Sequence, residues 1–140
     1  MKFKIFITFL FFILSTYKVN ANTKFFNEGV TLFNIKKFNK AKFKFEQDIV
    51  FNPKSEMSYL YLSKIFNQQN KKILEEQNLN TVILLNPKNE EAIYNLAKLK
   101  LDASDYKKSK ELNNKLKNLC KQLCDQSNKL KIEIENLSKK

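Results

Sequence analysis

Histidine, arginine and tryptophan are absent from this 140-residue chain, which has one glycine, two prolines and two cysteines. Each shortage removes a class of chemistry. Without histidine the usual general acid–base group is missing, and the carboxylate pairs Glu75-Glu76 and Glu90-Glu91 are expected on polar helix faces, solvated by water. A single glycine cannot build a loop that brings several backbone N–H groups onto a phosphate, which argues against nucleotide binding. Two cysteines and no histidine are too few for a zinc site, and the absence of Cys-x-x-Cys-His removes covalent haem attachment. No cofactor and no metal are expected. No nucleophile, base and orienter can be assembled from the remaining residue types, so the chain reads as a non-enzyme.

Lysine supplies all 26 basic residues against 14 acids, for a net charge of +12. Such a balance ordinarily suggests nucleic acid. The lack of arginine, whose guanidinium fork is the commonest reader of phosphate and guanine, argues against that partner. The start of the chain points elsewhere. Lys2 and Lys4 precede the apolar run Ile5 to Leu14, and Val19-Asn20-Ala21 offers a cleavage site, so residues 1–21 read as a signal peptide, with an uncleaved anchor as the alternative. The run is shorter than the roughly 20 residues that span hydrocarbon as a helix, and nothing later in the chain approaches that length. No cysteine follows closely enough for lipid attachment. The expectation is an exported protein, periplasmic or secreted after cleavage near Ala21. The remaining 119 residues carry 23 lysines and 14 acids, or +9, and suffice for one domain.

The two prolines, Pro53 and Pro87, stand 34 residues apart in matching settings, Phe51-Asn52-Pro53-Lys54 and Leu85-Asn86-Pro87-Lys88. Proline lacks an N–H and disfavours helical geometry in the residue before it, so each Asn-Pro pair ends a helix. Taking 34 as a period gives blocks 22–55, 56–89 and 90–123. Within them stripes of helical spacing recur: Phe25, Gly29 and Leu32 against Ala41, Phe45, Asp48 and Ile49, then Ile93, Leu96 and Ala97 against Ser109, Leu112 and Leu116. Small residues recur where two helices would cross, at Gly29 and Ala41 and again at Ala97 and Ser109. The spacing predicts helices at about 23–35, 39–51, 55–68, 71–85, 89–102, 105–119 and 126–138. Leu130 to Glu135 alternates strictly and could form a strand, but Leu130, Ile134 and Leu137 also lie on one helical stripe, and a lone strand would have no sheet to join.

These residues resemble the tetratricopeptide repeat (TPR) family over residues 22 to about 120. The carrying positions are Gly29, Ala41, Phe45 and Pro53; Tyr59, Leu62, Leu79 and Pro87; and Leu96, Ala97, Asp105 and Tyr106. The resemblance implies an all-α superhelix of about three helix-turn-helix repeats with a C-terminal capping helix at about 126–138. Three departures stand out. Lys36, Asn70 and Ser104 occupy turns where the family commonly has glycine, Glu75 occupies the second block's small-residue place, and the third block lacks the closing proline.

The resemblance also places the first helix of each repeat on a concave, partner-binding surface. The groove it implies is lined by Phe26, Val30 and Phe33, by Met57, Leu60, Lys64 and Asn67, and by Tyr94, Lys98 and Leu101. Its apolar floor and two lysines would take an extended or helical peptide with apolar anchors and an acidic group. Phe26 and Val30 stand where a clamp for a terminal carboxylate would need polar groups. Cys120 and Cys124, an even pair in an exported chain, read as a disulfide, with free thiols or intermolecular pairing as alternatives. Four residues apart on a regular helix, Cβ atoms are about 5–6 Å apart, too far for a bridge, so bonding them would require a break in the helix. The functional expectation is an envelope adaptor that binds a protein or peptide partner. The alternative is a lysine-rich surface attracted to anionic lipid or polymer.

Overall fold

The computed structural model describes residues 23–139, so the signal peptide read at residues 1–21 lies outside the described residues. Seven helices and no strand are found among the described residues: α1 Lys24–Asn34, α2 Phe38–Phe51, α3 Glu56–Gln68, α4 Lys72–Leu85, α5 Glu90–Asp102, α6 Tyr106–Leu119 and α7 Cys124–Leu137. The fold class is all-α. The helices pack as antiparallel pairs, α1 with α2, α3 with α4 and α5 with α6. Each pair stacks on the next, and α7 lies on α6 and touches α5. The segment from Leu130 to Glu135 is helical, its Leu130 and Ile134 buried beside Leu116 and Leu96. No helix is long and apolar enough to cross a membrane among the described residues.

Local sequence sets the helix ends. Thr23, Asn89 and Asp105 cap α1, α5 and α6 by accepting the N–H groups of Phe26, Ala92 and Lys108. At the other end, Asn52 and Asn86 close α2 and α4 with nearly equal backbone angles, φ −134° and −137°, and each donates its N–H at 2.7 Å, to Asp48 and Val82 respectively. Lys36, Asn70 and Ser104 sit 34 residues apart in the turns within the three pairs, and all have positive φ, between 55° and 60°. The left-handed turn that glycine would give without strain is thus held by three side-chain-bearing residues, at a cost of about 1–2 kcal/mol each for lysine and serine. Hydrogen bonds from Lys37, Lys71 and Asp105 N–H back to Leu32, Phe66 and Lys100 fix the same turn three times.

Two clusters make the core. The first gathers Ala41, Phe45, Leu62, Ile65 and Phe66 between the first two pairs; the second runs from Leu60 and Leu79 through the third pair to Leu130 and Ile134. Gly29 lets α1 and α2 approach closely, and the Phe45 ring fills the space a side chain there would need. Buried Asp48 ties three elements together, accepting hydrogen bonds from the hydroxyls of Thr23 and Ser58.

The third repeat ends differently from the first two. Cys120 stands where Asn52 and Asn86 stand in the others and, like them, is the residue at which the helix ends. It is disulfide-bonded to Cys124, the first residue of α7, with Cα atoms 5.3 Å apart. The helix does not run through the pair. Between them the N–H groups of Lys121, Gln122 and Leu123 all point at the Glu90 carboxylate, at 2.8, 3.0 and 2.9 Å. Deeper in, Asn113 donates to the Ser127 carbonyl at 3.0 Å and accepts from its hydroxyl at 2.9 Å, latching α7 to α6.

Candidate functional site

A groove of about 750 Å³ runs along the first helices of the three pairs. Phe33, Asn34, Lys36 and Phe38 line it from the first pair, Ser63, Lys64, Asn67, Gln68 and Glu75 from the second, and Glu91, Asn95, Lys98, Leu99 and Asp102 from the third. No residue of α7 lines it, so the last helix leaves the groove open. The walls arise from the 34-residue period itself: Lys64 and Lys98 are one repeat apart, as are Asn34, Gln68 and Asp102.

Of the expected groove residues, the structure brings together Phe33, Lys64, Asn67 and Lys98. Leu60 and Leu101 are corrections: both are buried in the second core cluster, because that face of each first helix meets the following repeat or α7. Phe26 and Val30 pack into the first cluster, with the Phe26 ring centroid 5.9 Å from those of Phe45 and Tyr61. Tyr94 is half-buried against the second cluster, and Met57 is exposed but outside the groove. The apolar floor expected from the sequence is therefore mostly core, and most residues that line the groove are polar or charged.

The two lysines are engaged within the chain. Lys64 Nζ lies 2.7 Å from Glu91 Oε1, a contact between neighbouring first helices, and sits 5.0 Å over the Tyr61 ring. Lys98 Nζ lies 3.8 Å from Glu133 Oε2 on α7. Three lysines face three carboxylates across the lining, so the groove is not the acid-accepting surface that the lysines alone suggested. By contrast, the side-chain amides of Asn34, Gln68 and Asn95 have no hydrogen-bond partner among the described residues. Sequence reading passed over these amides, although Asn34 and Gln68 are one period apart.

Glu75, expected from the sequence to be solvated on a polar helix face and to disturb the second helix crossing from the small-residue place it occupies, is instead 4 % exposed, buried between the hairpin's helices and lining the groove. Ser63 gives α3 the small residue that Gly29 and Ala97 give the other first helices, so the crossing survives. The Glu75 side chain reaches Asn67, whose Nδ2 donates to Oε1 at 3.0 Å. Burial raises the Glu75 pKa above its ordinary 4.5; the Asn67 hydrogen bond opposes this, the Asp102 charge adds to it and Lys72 opposes it. A carboxyl whose folded pKa is raised contributes full stability below its unfolded value and loses it as pH rises through the folded one. Glu75→Gln, which keeps an acceptor for Asn67, should therefore raise the melting temperature at pH 7, and the gain should vanish below about pH 4. Thermal melts at the two pH values check this.

Among the described residues no group of three or more His, Cys, Asp or Glu side chains is arranged to hold a metal ion. No protein-family model matches the sequence, and no curated protein matches it. Solved structures do. The TPR2B domain of yeast Sti1, in complex with pHsp70, superimposes with a TM-score of 0.75 at 13 % identity over 81 % of this chain and 95 % of that one. The Yersinia enterocolitica type III secretion chaperone SycD, with a peptide of the translocator YopD, gives 0.74 at 12 % identity over 88 % and 99 %. The Sgt2 TPR domain of Aspergillus fumigatus gives 0.70 at 19 % identity over 84 % and 81 %.

The chain has a TPR-like fold.

In that frame α1, α3 and α5 are the first helices of three hairpin repeats, α2, α4 and α6 the second, and α7 the helix that covers the end of the stack. At these identities the likeness is one of backbone. Gly29, Ala41 and Phe45 hold the first hairpin, and Asn52-Pro53 and Asn86-Pro87 end the first two repeats.

Proposed function

We propose that the protein is a non-enzymatic adaptor that holds an extended peptide of a partner protein in the groove formed by α1, α3 and α5. The observation that carries this reading is the row of amides without a hydrogen-bond partner among the described residues, Asn34, Gln68 and Asn95, along an open groove of about 750 Å³. Carboxamides can donate and accept at once, which suits the alternating N–H and C=O groups of an extended main chain. The fold supports it too, since structures of similar backbone were solved with partner peptides, YopD in SycD and SRMEEVD in the first TPR of Spaghetti. An envelope setting fits the signal-like residues 1–21 and the Cys120–Cys124 bond, which persists in oxidising compartments.

The test uses a random dodecapeptide library displayed on phage. Peptides selected on the wild-type chain should shift the amide resonances of Lys64, Gln68, Asn95 and Lys98, and should bind a Gln68→Ala/Asn95→Ala variant about tenfold more weakly, a loss of about 1.4 kcal/mol. The melting temperature should hold, because neither amide is bonded within the described chain. Peptides that instead shift the lysine-rich face of α6, and that release with added salt irrespective of the substitutions, would replace this reading with the electrostatic one.

A further inference from the structure

A buried acid that opens onto a binding groove is unusual within this molecule. At the places one period before and after Glu75 stand Ala41 and Ser109, both fully buried and both uncharged. Only the middle repeat puts a carboxylate there. One of its oxygens is occupied by Asn67, while Oε2 has no hydrogen-bond donor among the described residues and is not sealed away from the groove. The groove's own cations do not neutralise it: Lys64 is held by Glu91, Lys98 by Glu133, and no ion pair joins Lys36 to Glu75. Lys72, one turn earlier on α4, acts on it only from a distance, and Asp102 of α5, which also lines the groove, adds a second negative charge to its surroundings.

The geometry points to Glu75 as the residue that selects the partner: a lysine or arginine side chain of the bound peptide enters the groove and pairs with Glu75 Oε2, with Asp102 adding to the attraction. This rests on the groove being the peptide site. A partly desolvated carboxylate with a free oxygen is the acceptor from which a cation gains most, since charge-assisted hydrogen bonds strengthen where water is excluded. Basic anchors are also the opposite of what the whole molecule would choose. Its net charge of +12 repels cationic peptides at long range, so a preference for them can come only from a local acceptor.

The experiment compares two selections from the dodecapeptide library, on the wild-type chain and on Glu75→Gln, each checked for native helicity. Wild type should enrich lysine or arginine at one peptide position, and Glu75→Gln should lose that enrichment while still binding peptides. A selected peptide is then synthesised with its basic residue as lysine, arginine or the uncharged norleucine. At about 0.15 M salt, norleucine should bind wild type about tenfold more weakly than lysine but Glu75→Gln within about twofold. The lysine and arginine arms show whether an ammonium or a guanidinium fits. Asp102→Asn should show a partial version of the same loss. Groove-bound peptides without a basic preference, or an equal norleucine penalty on both proteins, would overturn this inference and leave the peptide site standing. Failure of wild type to select any groove-bound peptide would overturn both.

Discussion

Phe45→Ala should destabilise the protein by about 3–5 kcal/mol in urea-induced unfolding, a large share of the roughly 5–15 kcal/mol that domains possess. The Phe45 side chain is fully buried in the first cluster. Its ring stacks on Tyr61 of the next repeat with centroids 4.9 Å apart and an angle of 13° between planes, and meets Phe26 at 5.9 Å. Truncation therefore opens a cavity at the contact that joins two repeats. The same ring explains Gly29. A Cβ built there would stand 2.7 Å from Phe45 Cε1, so any side chain forces the ring out of its stack. Gly29→Leu should cost about 1–3 kcal/mol even though leaving glycine favours the helix by about 0.5–1 kcal/mol. The two sites share one space. Gly29→Ala should be less harmful in the Phe45→Ala background than in wild type, and a double-mutant cycle showing simple additivity would contradict the wedge.

Removing the disulfide by Cys120→Ser/Cys124→Ser, or by reduction, should cost about 2 kcal/mol by the chain-entropy relation for a loop this short. The loss should fall on α7 before the rest. Amide exchange in α7 should accelerate while α1 to α4 stay protected, since the Asn-Pro boundaries of the first two repeats do not depend on the bond. Glu90 then becomes the remaining tie. The Leu123 N–H, followed by those of Gln122 and Lys121 and by the Lys121 charge, holds its pKa below the ordinary 4.5 against the opposing effect of burial. A carboxylate lowered on folding stabilises above its unfolded pKa and loses that contribution as pH falls through the folded one. The doubly substituted protein should thus lose α7 protection on acidification at a higher pH than wild type. Uniform loosening of all seven helices would show that the bond acts elsewhere.

The period of 34 was legible because its punctuation is backbone chemistry. Asn52-Pro53 and Asn86-Pro87 end helices wherever they stand, and the observed helices fall within two residues of those expected at every end. Gly29 and Ala41 were legible for a related reason: only small residues permit so close a crossing. The binding face was harder to read. Period and stripe identify which residues face inward, but not whether inward means the groove or the next repeat, and Leu60 and Leu101 face the latter. Charge was the least legible. Lys64 finds Glu91 at a separation of 27 residues, and Lys98 finds Glu133 at 35, so no pattern along a single helix reports either pairing. Glu75 looked like a fault because its partner, Asn67, lies across the hairpin.

Because Asn52 and Asn86 leave their helices at almost the same angles, and Lys36, Asn70 and Ser104 turn the chain the same way, the middle repeat meets identical joints on both sides. Groove length in such a molecule is a modular quantity. A copy of the central hairpin would add one more rung of amides and lysines without disturbing the aromatic block at one end or the cystine clasp at the other.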